Sequence, residues 1–179
     1  MMQNNWFQPF ASKFYKTLDY YKIPGWILKR IPDNVDTSRN ALIQGQQQKW
    51  RFRTHNARAK FQCHKCKKKW TSAFTTIIWR AQWKTGIVQI TIEKQGCRRC
   101  NTQCQVFFIE DEQIEFALDW MCRWMLNDFY EISDEDTNSS DDEPDANVES
   151  VGPHDYQRCA AGRKGTCKKC NQMAQLQFK

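Results

Sequence analysis

Two cysteine pairs, Cys63-His64-Lys65-Cys66 and Cys97-Arg98-Arg99-Cys100, have the Cys-x-x-Cys spacing at which one tight turn offers two thiolates to a single metal ion. A third pair, Cys167-Lys168-Lys169-Cys170, follows Cys159 and His154. Pairs one and two make a set of four cysteines. His154-x4-Cys159-x7-Cys167-x2-Cys170 makes a set of three cysteines and one histidine. Each supplies four ligands for a tetrahedral structural Zn2+, so two zinc ions are expected. A cross-braced arrangement, with Cys63 and Cys66 joined to Cys167 and Cys170, fits the same spacings. Two of the nine cysteines are left over. Cys122 lies in an apolar helical run and reads as core. Cys104 reads as a buried thiol, with a role as alternative ligand kept open. His55 and His64 have no partner at ligand spacing and are expected at the surface. Disulfides are the competing chemistry for so many cysteines, but they belong to oxidising compartments. The opening Met1-Met2-Gln3-Asn4-Asn5 has neither the basic nor the apolar region of a secretory signal.

The elements between the pairs must bring them together. Thirty residues separate Cys66 from Cys97. Residues 70–83 are rich in β-branched and aromatic side chains, and residues 87–93 alternate Val88, Ile90 and Ile92 with polar partners. Lys84-Thr85-Gly86 between them is a turn signal. The segment is therefore an antiparallel hairpin, which returns the chain to its starting end and makes the two knuckles meet. A short third strand is expected at residues 106–109. Upstream, Phe7, Phe10, Phe14, Leu18 and Tyr21 recur at helical spacing, and Pro24-Gly25 closes the helix. Residues 31–48, with their glutamine run, read as a loop or a weak helix. Residues 112–130 form a second helix burying Ile114, Leu118, Met121, Met125 and Phe129. Its start is acidic, which suits the helix dipole. Its aromatic stripe of Phe116, Trp120 and Trp124 reads as core. The fold class is α+β: a small zinc-stapled antiparallel sheet, a zinc-ribbon-like hairpin, with flanking helices. The expected organisation is a helical region (1–48), a zinc-ribbon core with its C-terminal helix (49–130), an acidic disordered linker (131–151) and a Cys/His tail (152–179). Metal removal is expected to unfold the ribbon.

Charge is unevenly spread along the 179 residues. Residues 131–150 hold nine acidic side chains and no Lys or Arg, and the rest of the chain carries a net +16 against a total of +7. So acidic a stretch has almost nothing apolar to bury, which makes it a linker. A lid over the basic face is the alternative, and Ser139 and Ser140 within it are candidate phosphorylation sites. Residues 49–69 hold nine Lys or Arg and no acid. The meeting of the knuckles should gather Lys67, Lys68, Lys69, Arg98 and Arg99, with Arg51 and Arg53 in the same stretch and Trp50, Phe52 and Phe61 interleaved. Cations with aromatics are the composition of a single-strand nucleic-acid site; for Phe61, packing beneath the zinc is the preferred reading. A closed structural zinc offers no open coordination position, and no nucleophile or general-base arrangement is present, so an enzyme is not expected. No run reaches the length of a membrane helix, and a cytoplasmic location is expected.

The pattern Ala59-Lys60-Phe61-Gln62-Cys63-x2-Cys66-x3-Trp70-Thr71-Ser72-Ala73, then Gln95-Gly96-Cys97-x2-Cys100, then Pro153-His154-Asp155 leading to Cys159, resembles the 3CxxC-type zinc finger of the receptor-transporting proteins. The resemblance covers about residues 50–170. It implies a zinc-binding accessory protein that assists seven-helix receptors to the cell surface, at the periphery of the endoplasmic reticulum or plasma membrane. The zygote arrest proteins carry a related finger and bind RNA, as do interferon-responsive relatives, so RNA is the alternative partner. Three departures stand out, the first being the acidic insertion of about twenty residues before the last array. Where the family places a middle cysteine in its last array this chain has Gly162, with Cys170 available to replace it. The closing Gln175-Leu176-Gln177-Phe178-Lys179 lacks the hydrophobic anchor of many members.

Overall fold

The computed structural model describes residues 6–132 and 158–171. The acidic segment beyond Ile132, including Ser139 and Ser140, and the expected ligand His154 lie outside the described residues.

Helix α1 (Phe7–Tyr21) forms as its apolar spacing requires and buries Phe10, Phe14 and Leu18. It stops before Pro24-Gly25. Lys22 takes a left-handed conformation, and the amides of Lys22 and Ile23 bond back to Asp19 and Leu18, a Schellman-type ending. Strand β1 (Ile27–Arg30) follows, and then helix α2 (Arg39–Gly45), capped by the Ser38 hydroxyl, which accepts from the Ala41 amide at 3.3 Å. Strand β2 (Arg51–Gln62) takes up most of the basic stretch. The expected hairpin is β3 (Lys69–Gln82) and β4 (Ile87–Ile92), joined by a short 3-10 turn at Trp83–Thr85 and by Gly86 at φ +62°. Two short strands, β5 (Gln95–Gly96) and β6 (Gln103–Cys104), pair beside the knuckles, and β7 (Val106–Phe108) follows. Helix α3 (Asp111–Tyr130) covers the sheet, with Asp111 and Glu112 in its first turn.

The main sheet is larger than a hairpin. Its five strands run β1-β4-β3-β2-β7. Every neighbouring pair is antiparallel except β1 with β4, so the sheet is mixed rather than purely antiparallel. Along β2, alternation places His55, Ala57, Ala59 and Phe61 inward while Arg58 and Lys60 face out.

Helices α1 and α3 pack on one face. Ile77, Trp79 and Ala81 of β3 and Val88, Ile90 and Ile92 of β4 meet Phe10, Phe14, Leu18, Leu118, Met121 and Cys122 there. Lys13 ties α1 to Glu115 at 2.6 Å, and the Tyr21 hydroxyl donates to Asp119. On the opposite face a smaller cluster joins Ile31 and Leu42 to Ile78. Residues of the 1–48 region thus share cores with the sheet. None of the described helices is long and apolar enough to cross a membrane.

His55 departs from its expected surface position. It is 1% exposed, with its ring between Trp79 and Trp120 at centroid distances of 6.4 and 4.8 Å. It sits at an inward position of a strand that reads, in sequence, only as a charged run. Trp79 Nε1 donates to His55 Nδ1 at 3.3 Å, so the neutral ring carries its proton on Nε2, which has no hydrogen-bond partner among the described residues. Burial, with a smaller contribution from Lys168, drives its pKa down to about 3. His64 is exposed, as expected.

Candidate metal centres

The hairpin does what its pattern implies. Cys63 and Cys66 precede β3, Cys97 and Cys100 follow β4 and β5, and the four Sγ atoms lie within 4.8 Å of one another. Two of the sulfur pairs, Cys63 with Cys100 and Cys66 with Cys97, are each 3.5 Å apart. A tetrahedron with metal–sulfur bonds of about 2.3 Å has edges of about 3.8 Å, so the four thiols fit one Zn2+.

The two knuckles are built alike. Lys67 N–H donates to the Cys63 carbonyl at 2.9 Å, and Asn101 N–H to the Cys97 carbonyl at 2.8 Å. The Cys63 amide donates to Lys68 O and the Cys97 amide to Thr102 O, at 2.8 and 2.9 Å. Lys67 and Asn101 both take left-handed conformations, at φ +62° and +57°. The Cys66 amide points at Cys63 Sγ at 3.4 Å; with the neighbouring thiols, this draws the Cys63 pKa down to about 6 and favours the ligand thiolate. Cys104 is buried beside them, and burial pushes it up to about 12, so it stays a thiol. It lies outside the four-sulfur group, whereas Cys122 is buried in α3 as expected.

Polar contacts lock this end of the hairpin to the sheet. Trp70 stacks on Phe61 at 5.3 Å, and its Nε1 donates to Gln95 Oε1 at 3.2 Å. Gln95 Nε2 donates in turn to Ser72 Oγ at 2.7 Å. Phe61 packs beneath the knuckles rather than facing solvent.

The second cluster is Cys159, Cys167 and Cys170, again within 4.8 Å of one another. Pairing is sequential: Cys63 and Cys66 group with Cys97 and Cys100, not with Cys167 and Cys170. Short helix α4 (Ala160–Arg163) starts at Cys159, whose sulfur accepts from the Gly162 amide at 3.3 Å. Asn171 N–H bonds to the Cys167 carbonyl at 3.1 Å, the same contact that closes the first two knuckles. A Cβ placed on Gly162 would lie 2.5 Å from Cys170 Sγ. Cys170 therefore fills the place that a cysteine at position 162 would take, which is the substitution the sequence suggests.

Residues 158–171 are docked onto the first centre. Cys159 forms an isolated β-bridge with Gln95. Gly96 has Arg158 Cβ 3.3 Å from where its own Cβ would stand, so any larger residue would push the tail away. Lys164 reaches buried Glu93 at 2.9 Å and the Thr37 hydroxyl at 2.8 Å, and its carbonyl accepts from the Arg39 amide. None of these anchors carries a sequence signal beyond the Gln95-Gly96 motif.

A family model described as a zinc-binding domain, the 3CxxC zinc ribbon, matches residues 56–165, more than half of the chain. The chain belongs to that family. No curated protein and no solved structure gives a significant match. In this 3CxxC zinc ribbon the matched span holds both hairpin knuckles, Cys159 and Gly162, and geometry brings in Cys167 and Cys170 beyond it. The fold, the donor sets and the family agree on zinc.

The expected cationic residues divide into two groups. Lys67, Lys68, Lys69, Arg98 and Arg99, together with Lys65, are all exposed on the two knuckles that the sulfur cluster joins. Arg51 and Arg53 start β2, whose last residue Gln62 precedes Cys63. At about 3.3 Å per residue they stand roughly 30 Å or more from the knuckles. Arg53 pairs there with Asp128 of α3 at 3.3 Å. Trp50 lies at that same end, with the Arg80 guanidinium 4.6 Å from its ring centre.

Proposed function

We propose that this zinc ribbon is an RNA-binding module of the kind its resemblance to zygote arrest and interferon-responsive proteins suggests. One observation carries the reading: a single metal-binding cluster gathers six exposed cations, Lys65, Lys67, Lys68, Lys69, Arg98 and Arg99, at one end of the sheet. Zinc fixes the backbone that displays them, so charge density there is built in rather than accidental. The first centre, with four thiols for one ion, leaves no open coordination position, which supports reading the module as one that binds rather than catalyses. Neutralising about six phosphates of a single strand gives a slope of about −4 in log K against log salt. Binding of a labelled single-stranded RNA of sixteen nucleotides, titrated at several salt concentrations, tests this. Charge reversal at Lys67, Lys68, Arg98 and Arg99 should abolish the salt dependence along with the affinity; a flat salt profile for the wild-type chain would overturn the reading.

A second reading, assistance to seven-helix receptors, has support at the other end of the molecule. Trp83 at the hairpin tip is 55% exposed and packs against Trp26, Phe129 and Tyr130. Such an aromatic surface suits an apolar protein partner. Co-expression with a poorly trafficked receptor, counting receptor at the cell surface, separates the two. Rescue by the wild type that is lost in Trp83→Ser and kept in the charge-reversed variant would favour the receptor role.

A further inference from the structure

Strand β7 ends the main sheet, and its outer edge pairs with no described strand. Its register is irregular: Lys60 faces Phe108 while Phe61 faces Val106, which leaves Phe107 as an extra residue. A bulge of this kind at a sheet edge turns a side chain out of the normal alternation. The result is two consecutive aromatic rings in the open, Phe107 at 42% and Phe108 at 48% exposure. Val106, beside them, is fully buried.

Each ring has a cation over one face. Lys69 Nζ lies 6.0 Å from the Phe107 ring centre, and Lys60 Nζ 5.4 Å from that of Phe108. Lys60 also pairs with Glu110 at 2.9 Å. Lys69 belongs to the basic run of the first knuckle, and β7 follows closely on the second, so the same cluster that gathers the charges also sets the rings beside them. Flat rings with an ammonium group over one face match one kind of ligand well: an unpaired base on the opposite face, with its phosphate reached by the lysine.

We propose that Phe107 and Phe108 form a base-stacking platform, with Lys69 and Lys60 taking the adjoining phosphates, and that this platform makes the site selective for single-stranded RNA. The inference rests on the RNA-binding reading above and adds the strand state of the ligand. A duplex keeps its internal bases stacked on one another and has a free face only at its two ends, so it would engage chiefly the knuckle charges.

The test uses the zinc-loaded full chain with three probes: the sixteen-nucleotide single strand, a blunt duplex RNA of the same length, and vesicles containing phosphatidylserine. Wild type should bind the single strand at least about tenfold more tightly than the duplex. Phe107→Ala/Phe108→Ala should lose about tenfold or more on the single strand and leave duplex binding unchanged. Phe107→Tyr/Phe108→Tyr should restore it, and zinc content and melting temperature, measured on each variant, keep misfolding apart from lost stacking. Equal binding of both RNAs, or an alanine variant that binds like wild type while charge reversal abolishes binding, overturns the platform and leaves the RNA reading standing. No RNA binding by wild type, with or without phenylalanine-dependent vesicle binding, overturns both.

Discussion

At the residue scale, two side chains carry testable consequences. His55 is neutral in the folded protein and its pKa lies near 3, against about 6.5 in an unfolded chain. Between those values the unfolded state binds a proton that the folded state refuses. Stability therefore falls as pH drops below about 6.5, by about 2 kcal/mol at pH 5 from this group alone. Urea midpoints at pH 7 and pH 5, compared for wild type and His55→Gln, should show the larger acid loss in wild type. Acid also weakens zinc binding, but it does so in both proteins, and the difference isolates the histidine; equal losses would show that His55 is not the group responsible. Cys170 gives the second test. Cys170→Ala should leave the chain with tight zinc at the first centre only. Gly162→Cys/Cys170→Ala should regain two zinc ions per chain by elemental analysis after dialysis, because the new sulfur would take the vacated place. Gly162 has no left-handed φ that would penalise a side chain, whereas Gly162→Cys alone would collide with Cys170. A double variant no better than Cys170→Ala would mean that Cys170 does not stand in for position 162.

At the element scale, the hairpin is legible in sequence because its two signals are strong and independent: β-branched alternation on both sides of a glycine turn, and cysteine pairs at its open end. The turn residue has a double constraint. Gly86 is at φ +62°, and a Cβ there would come within 2.9 Å of the Gly25 carbonyl oxygen. Gly86→Ala should therefore cost about 1–3 kcal/mol, read as a lower urea midpoint at unchanged slope, from strained backbone together with displacement of the Pro24-Gly25 turn; an unchanged midpoint would show that the tip yields freely. Strand β2 is not legible. Its buried face is His55, Ala57, Ala59 and Phe61, mostly small or polar residues that a hydrophobicity pattern passes over, and its outer face is charged. Strand β1 has only the four residues Ile27–Arg30, and it pairs in parallel with β4 far along the chain, so no local hairpin signal marks it. The cations of the site are legible as a group only where metal spacing links them. Without β2 in view, Arg51 and Arg53 look like neighbours of the knuckles when a whole strand separates them. Phe107 and Phe108 read simply as strand residues, because the bulge that exposes them depends on pairing with β2.

At the scale of the whole molecule, zinc and the apolar core divide the work of holding the fold. Structural zinc binding is worth about 10–16 kcal/mol, against a net stability of about 5–15 kcal/mol for a domain, so a fully coupled fold would not survive metal loss. Here the coupling is partial. The large core joins α1 and α3 to strands β2, β3 and β4 without a cysteine from either cluster, and the cysteines form small clusters of their own at the knuckle end. Chelation should therefore melt the knuckles, β5, β6 and the docked residues 158–171, while α1 and α3 keep most of their helical circular dichroism at room temperature and the melting temperature falls. This refines the expectation that metal removal unfolds the ribbon, since the sheet has a larger apolar core than the hairpin alone would supply. RNA affinity should vanish in the same titration, ahead of any loss of helicity, because the knuckle cations and the β7 edge depend on the first centre for their placement. Complete loss of helix on chelation would show that the core cannot stand without zinc, and an unchanged melting temperature would show that the metal bears no structural load. Affinity that survives zinc removal would break the link between the metal centre and the charged surface on which the proposed function depends.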